Sequence, residues 1–312
     1  MARPARQTTI PSRDGVSASC VALPSTGVHS PWPRMADFLA ERLPAVTRQE
    51  WIERMARGEV LDEQGHPVPP DATYAGGRRL YYWRHLPDEP RIPFEARIVY
   101  QDQHLLVADK PHFLPVIPTG RFVRETLLVR LKQTTGIESL SPVHRIDRET
   151  AGLVLFSTRA QDRGAYQAMF RERQVDKLYE AIAPSTGAWT GSRTHRSRIV
   201  EDPQAFYRMI ETEGEPNSHT RIDRTEQDNG WARYRLEPVT GKRHQLRVHM
   251  NALGLPICGD QFYPVVRRGP GETEDYADPL RLLARAIAFT DPVTGERRQF
   301  ESGLSLDWPS PP

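Results

Sequence analysis

Cysteine is nearly absent: the chain has two, Cys20 and Cys258, in 312 residues. Two distant thiols exclude a disulfide scaffold and a cysteine-rich zinc site, and they suit a reducing compartment. Long apolar runs are missing too. No stretch approaches the roughly 20 residues of a membrane span, so no membrane partner is expected. Arg3 and Arg6 are not followed by an apolar segment, so the expected location is cytoplasmic, without a secretory signal. Charge of one sign is scarce as well: the net is +2, from 42 basic and 40 acidic residues. Bulk charge therefore announces no nucleic-acid binder, and any such surface must come from local clustering. Gly-x-Ser-x-Gly does not occur, which removes a serine hydrolase of that type. The His-x-Glu and Cys-x-x-Cys of a zinc base deaminase are missing. His244 and His249 are five apart, so they diverge on a helix and oppose on a strand; no metal is expected.

Proline is plentiful, at 28 residues, and implies much loop and edge structure. The length allows one large domain and one small one. Residues 1–33 read as an N-terminal arm, either mobile or forming a single short strand near Val16–Leu23. In 34–86, Met35, Phe38, Leu39 and Leu43 are spaced for one helix face, and Pro44 ends it. Thr47 predicts the N-cap of a second helix, with Glu50 completing a capping box and Gly58 stopping the helix. Arg48, Arg54 and Arg57 on that helix either meet phosphates or form a solvated face. A short strand at Val60–Leu61 and glycine turns follow. Residues 87–96 form a linker, and 97–312 a second domain.

The second domain is organised around His144-Arg145-Ile146-Asp147-Arg148-Glu149-Thr150-Ala151-Gly152, which runs into Leu153-Val154-Leu155-Phe156. The apolar run has the composition of a buried strand. Gly152, at the entry, allows an unusual backbone angle or a close approach. Asp147 therefore sits on a loop held by a core strand, where catalytic groups are commonly placed. Earlier strands are expected at Ile98–Tyr100 and Leu105–Ala108, and a helix at Glu125–Lys132. Thr158 is expected to cap a helix running to Glu172, and Gln174–Asp176 to form a turn. Strands follow at Lys177–Ala183, Arg198–Val200, His219–Arg224 and Trp231–Leu236, and Leu246, Met250 and Leu253 mark a short helix closed by Gly254.

His144–Leu155 resembles the central motif of the RluA family of pseudouridine synthases: His-Arg-Leu-Asp, a variable pair, Thr-Ser-Gly, then aliphatics. Ile146 and Ala151 depart from it. Lys177-Leu178-Tyr179-Glu180-Ala181 resembles the second motif, Lys-x-Tyr-x-Ala. Thr240–His249 resembles the third, with Lys242 and Arg243 in place of Arg-Thr. Pro256–Tyr263 matches Pro-Ile-x-Gly-Asp-x-x-Tyr, and Arg285 stands where His is common. The resemblance runs through about residues 97–300, and 34–86 resembles an S-four-type RNA-binding module.

The resemblance implies an α+β fold, a mixed and largely antiparallel sheet with flanking helices, plus a small N-terminal α/β RNA-binding domain. It implies an isomerase that breaks the bond between uracil nitrogen and ribose, turns the base and rejoins it through carbon. No redox step or energy input is needed, so no cofactor is expected. Asp147 matches the catalytic Asp, and Arg247 is expected to pair with it and keep it charged. Tyr179 stacks on the uracil or takes the proton from carbon, unless it is simply a core tyrosine. Arg145 fills the gap left by the everted base or clamps a phosphate; its alternative is a loop pair with Glu149. Lys177, Arg148, Lys110 and Arg243 are further substrate-binding candidates. The expected partner is RNA, ribosomal large-subunit ahead of transfer RNA, and the protein is expected to be a monomer. The rival is a non-catalytic RNA-binding protein on the same fold, against which the intact Asp147 argues.

Overall fold

The computed structural model describes residues 10, 12–26, 30–84, 89–186, 189, 191–269, 272 and 275–310. Arg3 and Arg6 of the expected arm, and positions 85–88 at its linker, lie outside the described residues.

The chain divides into two compact units. The smaller comprises the described residues up to Glu89 together with Gly120–Arg124. Its strands are β1 (Ser19–Ala22), β2 (Val60–Leu61) and β3 (Arg79–Tyr82), in the order β1-β3-β2, and its helices are α1 (Met35–Arg42) and α2 (Arg48–Ala56). The segment read as an arm thus supplies one strand of this sheet. The apolar face predicted for α1 packs Met35, Phe38 and Leu39 against Trp51 and Met55 of α2 and Leu80 of β3. Thr47 caps α2, its side chain accepting from the Glu50 amide at 3.2 Å. The Glu50 carboxylate turns to Arg54 rather than back to the cap. Gly120–Arg124 joins this unit because Glu89 accepts from the amides of Val123 and Arg124, at 2.7 and 2.9 Å.

The larger unit is built on an 11-stranded sheet. In chain order its strands are β4 (Arg97–Gln101), β5 (Leu105–Lys110), β6 (Ser141–Pro142), β7 (Ala151–Ser157), β8 (Val175–Pro184), β9 (Arg193–Asp202), β10 (Ala205–Thr212), β11 (Ser218–Asp228), β12 (Trp231–Pro238), β13 (Leu282–Thr290) and β14 (Arg297–Glu301). The main path is β10-β9-β11-β12-β8-β13-β7-β5-β4, with β14 on β13 and β6 on β7. Every pairing is antiparallel except β13 with β7. Helices α3 (Leu127–Thr135), α4 (Arg163–Arg171) and α5 (Gln245–Ala252) complete the unit, so the fold is α+β with a mixed, largely antiparallel sheet.

Strand β7 is buried along its whole length, as its apolar run requires. Gly152 answers both expectations. It has φ +110, and an added Cβ would lie 2.3 Å from the Ala284 carbonyl oxygen of β13. Three local expectations differ. Helix α4 begins at Arg163, because the Thr158 hydroxyl is spent on the Gln103 carbonyl, at 2.6 Å. Val175 and Asp176 belong to β8, pairing with Phe289 and Ala288, instead of forming a turn. The polar stretch after Pro184 holds three long strands, whose buried face mixes the few apolar residues Ile199, Met209 and Ile222 with polar ones such as Ser218 and Thr220.

Candidate active site

The loop between β6 and β7 carries Asp147, and groups from distant segments fix it. His144 accepts at Nε2 from the Leu155 amide of β7, 3.1 Å away, and its ring stacks on Phe170 with centroids 4.5 Å apart. Burial holds this imidazole down at about 3, so it is neutral. From the end of β5, Lys110 Nζ donates to the carbonyls of Pro111 and Arg148, each at 3.0 Å, and His112 Nδ1 donates to the Glu149 carbonyl at 2.7 Å. Two donors thus grip consecutive carbonyls beside Asp147. Burial pulls Lys110 down to about 7, against the pull of Glu149 and Asp147. Lys110 is fully buried, so the expectation that it touches RNA is corrected: it shapes the loop instead.

Asp147 lines a cavity of about 910 Å³ together with Arg145, Arg148, Lys177, Tyr179, Arg243 and His244. A smaller chamber of about 110 Å³ lies where Asp147, Tyr179, Leu246, Arg247 and Leu282 meet. Leu282 therefore supplies apolar wall. Arg285, the departure noted in the sequence, instead forms a two-pronged pair with Glu180, both contacts at 3.0 Å, and ties down the Ser302 and Leu304 carbonyls.

Arg247 is 1% exposed and faces three carboxylates. Its Nε and Nη2 make a two-pronged pair with Asp260, at 2.8 and 2.7 Å. Its Nη1 lies 3.4 Å from Asp147 Oδ2 and 3.7 Å from Glu149 Oε2. Charge-assisted forks of this kind fix orientation as well as energy. Asp260 therefore aims the guanidinium, and Asp147 receives the arm left over. Burial opposes the charge on Arg247, but Asp260, Asp147 and Glu149 outweigh it and push its pKa up. Burial also opposes charge on Glu149, yet Arg247 and Arg148 leave it lowered, hence ionised at neutral pH. Gly259 makes the approach of Asp260 feasible: it has φ +76, and a Cβ there would sit 2.1 Å from the Pro279 carbonyl oxygen.

His244 caps α5 in the left-handed region, with φ 53. Its Nε2 is 4.0 Å from Asp147 Oδ2, and its Nδ1 is 3.0 Å from the Tyr263 hydroxyl. Burial, reinforced by Arg247, lowers it to about 3, so a neutral imidazole borders the carboxylate. Tyr179 is half-buried; burial first and the Asp147 charge second push its phenol up, so it too is neutral. Lys177 reaches the Thr240 carbonyl at 3.5 Å. Arg148 bonds Glu149 at 3.0 Å, and Arg243 donates to the Phe206 carbonyl at 2.7 Å. Arg145 is exposed at the cavity.

Sequence reasoning did not single out Glu149, His112, His144, His244 or Asp260 as site residues. Asp260 lay inside a quoted motif, but nothing in its spacing points to Arg247. One trio among the described residues, His195, Glu211 and His249, brings metal-ligand atoms within 4.8 Å of one another. Both His249 nitrogens are already engaged, Nδ1 with Thr220 and Nε2 with Ser218, each at 2.9 Å. That is the bonding of a buried structural histidine.

A family profile described as RNA pseudouridylate synthase matches residues 104–252. The dual-specificity RNA pseudouridine synthase RluA of Haemophilus influenzae is 32% identical over 220 residues, which is 66% of this chain and 91% of that protein. The ribosomal large subunit pseudouridine synthase D of the same organism is 29% identical over 299 residues, 88% of this chain and 89% of that protein. Among solved structures, human RNA Pseudouridylate Synthase Domain Containing 4 superposes with a TM-score of 0.53 at 26% identity, over 67% of this chain and 88% of that one.

Proposed function

The chain belongs to the RluA family of RNA pseudouridine synthases, and from that premise we propose that Asp147 is its catalytic carboxylate and large-subunit ribosomal RNA its substrate. The observation that carries the first part is the placement of Asp147 Oδ2, 3.4 Å from Arg247 Nη1 at the meeting of the two cavities. A uridine inside folded RNA is stacked, so it must be everted to reach this point. The carboxylate acts on the ribose–uracil bond, taking a covalent or electrostatic load as the C–N bond breaks. The freed uracil keeps the bonding pair on N1 and turns within the chamber; carbon-5 bonds to the ribose carbon and loses its proton to solvent while N1 takes one up, so the product is an isomer of the substrate. Tyr179 holds the base as a neutral phenol, since its environment disfavours the phenolate that proton abstraction requires. Arg145, exposed beside the cavity, occupies the space that the everted base leaves or holds an adjacent phosphate. Lys177 and Arg148 present cationic donors to the nucleotide from the cavity wall, and Arg243 does so from its rim.

The preference for ribosomal RNA is supported by coverage. The match to the ribosomal large subunit enzyme spans 88% of the chain, whereas that to the dual-specificity enzyme spans 66%. The smaller unit, with two helices over a small sheet, is assigned as an S-four-like RNA-binding module. Arg48 and Arg57 there already pair with Asp37 and Glu59, at 2.6 and 2.9 Å, so phosphates would compete with these carboxylates. The alternative substrate is transfer RNA. The test uses RNA carrying tritium on uridine carbon-5, prepared from cells that lack the protein. Wild-type enzyme is expected to release label from the ribosomal fraction; release from transfer RNA alone would overturn the substrate assignment.

A further inference from the structure

The open face of the sheet beside the cavity carries a basic strip that lies outside the sequence motifs quoted above. Asn217, just before β11, and Arg173, in the turn between α4 and β8, both line the cavity. The register sets Arg196 of β9 opposite His219 of β11, and Thr194 opposite Arg221. Strand alternation then puts Arg196, His219 and Arg221 on one face. The other face carries Ser197 and Thr220, which bond His249 of α5 and are committed to the core. Arg173, Arg196 and Arg221 are exposed. Burial lowers the His219 imidazole, and Arg196, Arg221 and Arg173 lower it further, so these cations act on a common point. Among the described residues, Arg173 and Arg196 form no ion pair.

Acid along these strands is paired with arginine: Arg233 takes Glu226 and Glu180, at 3.1 and 3.4 Å. Glu237 pairs with Arg221 at 3.4 Å and with Arg235 at 2.6 Å. Asp223 lies farther along, opposite Arg235. In a chain whose net charge is only +2, this leaves a local excess of guanidinium next to the cavity mouth. Exposed arginines on a rigid sheet, spaced along two neighbouring strands, suit successive phosphodiesters more than a compact ligand.

We propose that Arg173, Arg196, His219 and Arg221 form a track for the ribose-phosphate backbone of the substrate RNA on one side of the everted uridine. The track rests on RNA being the substrate, and it positions the strand without reading bases.

The test measures binding of a fluorescein-labelled oligouridylate to the full chain by anisotropy over a range of KCl concentrations. Each phosphate neutralised on a single strand contributes about 0.7 to the slope of log Kd against log salt. The double variant Arg196→Ala/Arg221→Ala is expected to lower that slope by about 1.4 and to weaken low-salt binding about tenfold or more. Arg196→Lys/Arg221→Lys, which keeps the charge, should retain the slope. If the double alanine variant does not fold, Arg196→Ala alone should lower the slope by about 0.7. Folded variants with the wild-type slope and affinity would overturn the track. Tritium release by the wild type is scored separately. Absent release with strip-dependent binding would sink the isomerase assignment and keep the track; normal release with an unchanged slope would do the reverse.

Discussion

Asp147, Arg247 and Asp260 work as a chain of orientation. Asp260 holds two nitrogens of the guanidinium at 2.7 and 2.8 Å, which leaves Nη1 for Asp147. Asp147→Asn keeps the shape and removes the charge. It is expected to lower tritium release at least about a thousandfold, beyond the loss seen for a single auxiliary donor, with an unchanged circular dichroism spectrum. Asp260→Asn acts differently. It breaks a pair whose members are both almost wholly buried, and loss of one partner of such a pair costs about 3–5 kcal/mol. Urea unfolding should show that loss, and activity should fall along with it because Nη1 is no longer aimed. An Asp260→Asn protein of full stability would mean that the Arg247 fork carries no structural load. Lys110 makes the same point for a buried group: its nitrogen is used on the loop carbonyls.

At the level of elements, the catalytic loop enters β7 through a point where two backbones nearly touch. Gly152 pairs with Ala284 in the parallel register, at φ +110, with no room for a Cβ. Gly152→Ala therefore meets both a clash and a strained backbone, and the remedy is to part β7 from β13. A destabilisation above about 3 kcal/mol is expected, in the range of strain at a special backbone angle added to overpacking. A differential scanning measurement checks it; a melting temperature within about 2 °C of wild type would show that the strands separate without penalty. The element expectations that differed share one cause. The start of α4 and the early onset of β8 depend on which distant partner takes a hydroxyl or an amide, and that partner is not written nearby in the sequence. Strands β9, β10 and β11 are hard to read for a related reason: their buried face holds polar Ser218 and Thr220 beside few apolar residues, so the alternation that betrays a half-buried strand is weak there.

For the molecule as a whole, buried neutral histidines set its response to acid. His144, His244 and His249 are held at about 3 and His112 at about 4, in each case chiefly by burial. Unfolded, such groups titrate near about 6.5. Between those values the unfolded chain binds more protons, so stability rises with pH across that window and is lost as pH falls through it. The slope reaches up to about 1.4 kcal/mol per pH unit for each fully buried histidine, and less for half-buried His112 and His144. Thermal unfolding at pH 5 should therefore occur well below that at pH 7; equal midpoints would mean that the imidazoles are charged in the folded state.

The sequence alone carried the family, the strand behind the catalytic loop and the carboxylate at position 147, because each is expressed by neighbours along the chain, and the α+β class came only by way of the family. An apolar run, a glycine at its entry and a charged loop before it lie within one short segment, and their order survives without knowledge of the fold. The tertiary structure decided what surrounds that carboxylate: Asp260 aiming Arg247, His244 bordering the cavity, Lys110 withdrawn into the loop, and arginines of β9 and β11 brought beside Arg173. These relations join segments far apart in the chain, and a contact made through space leaves no spacing to read.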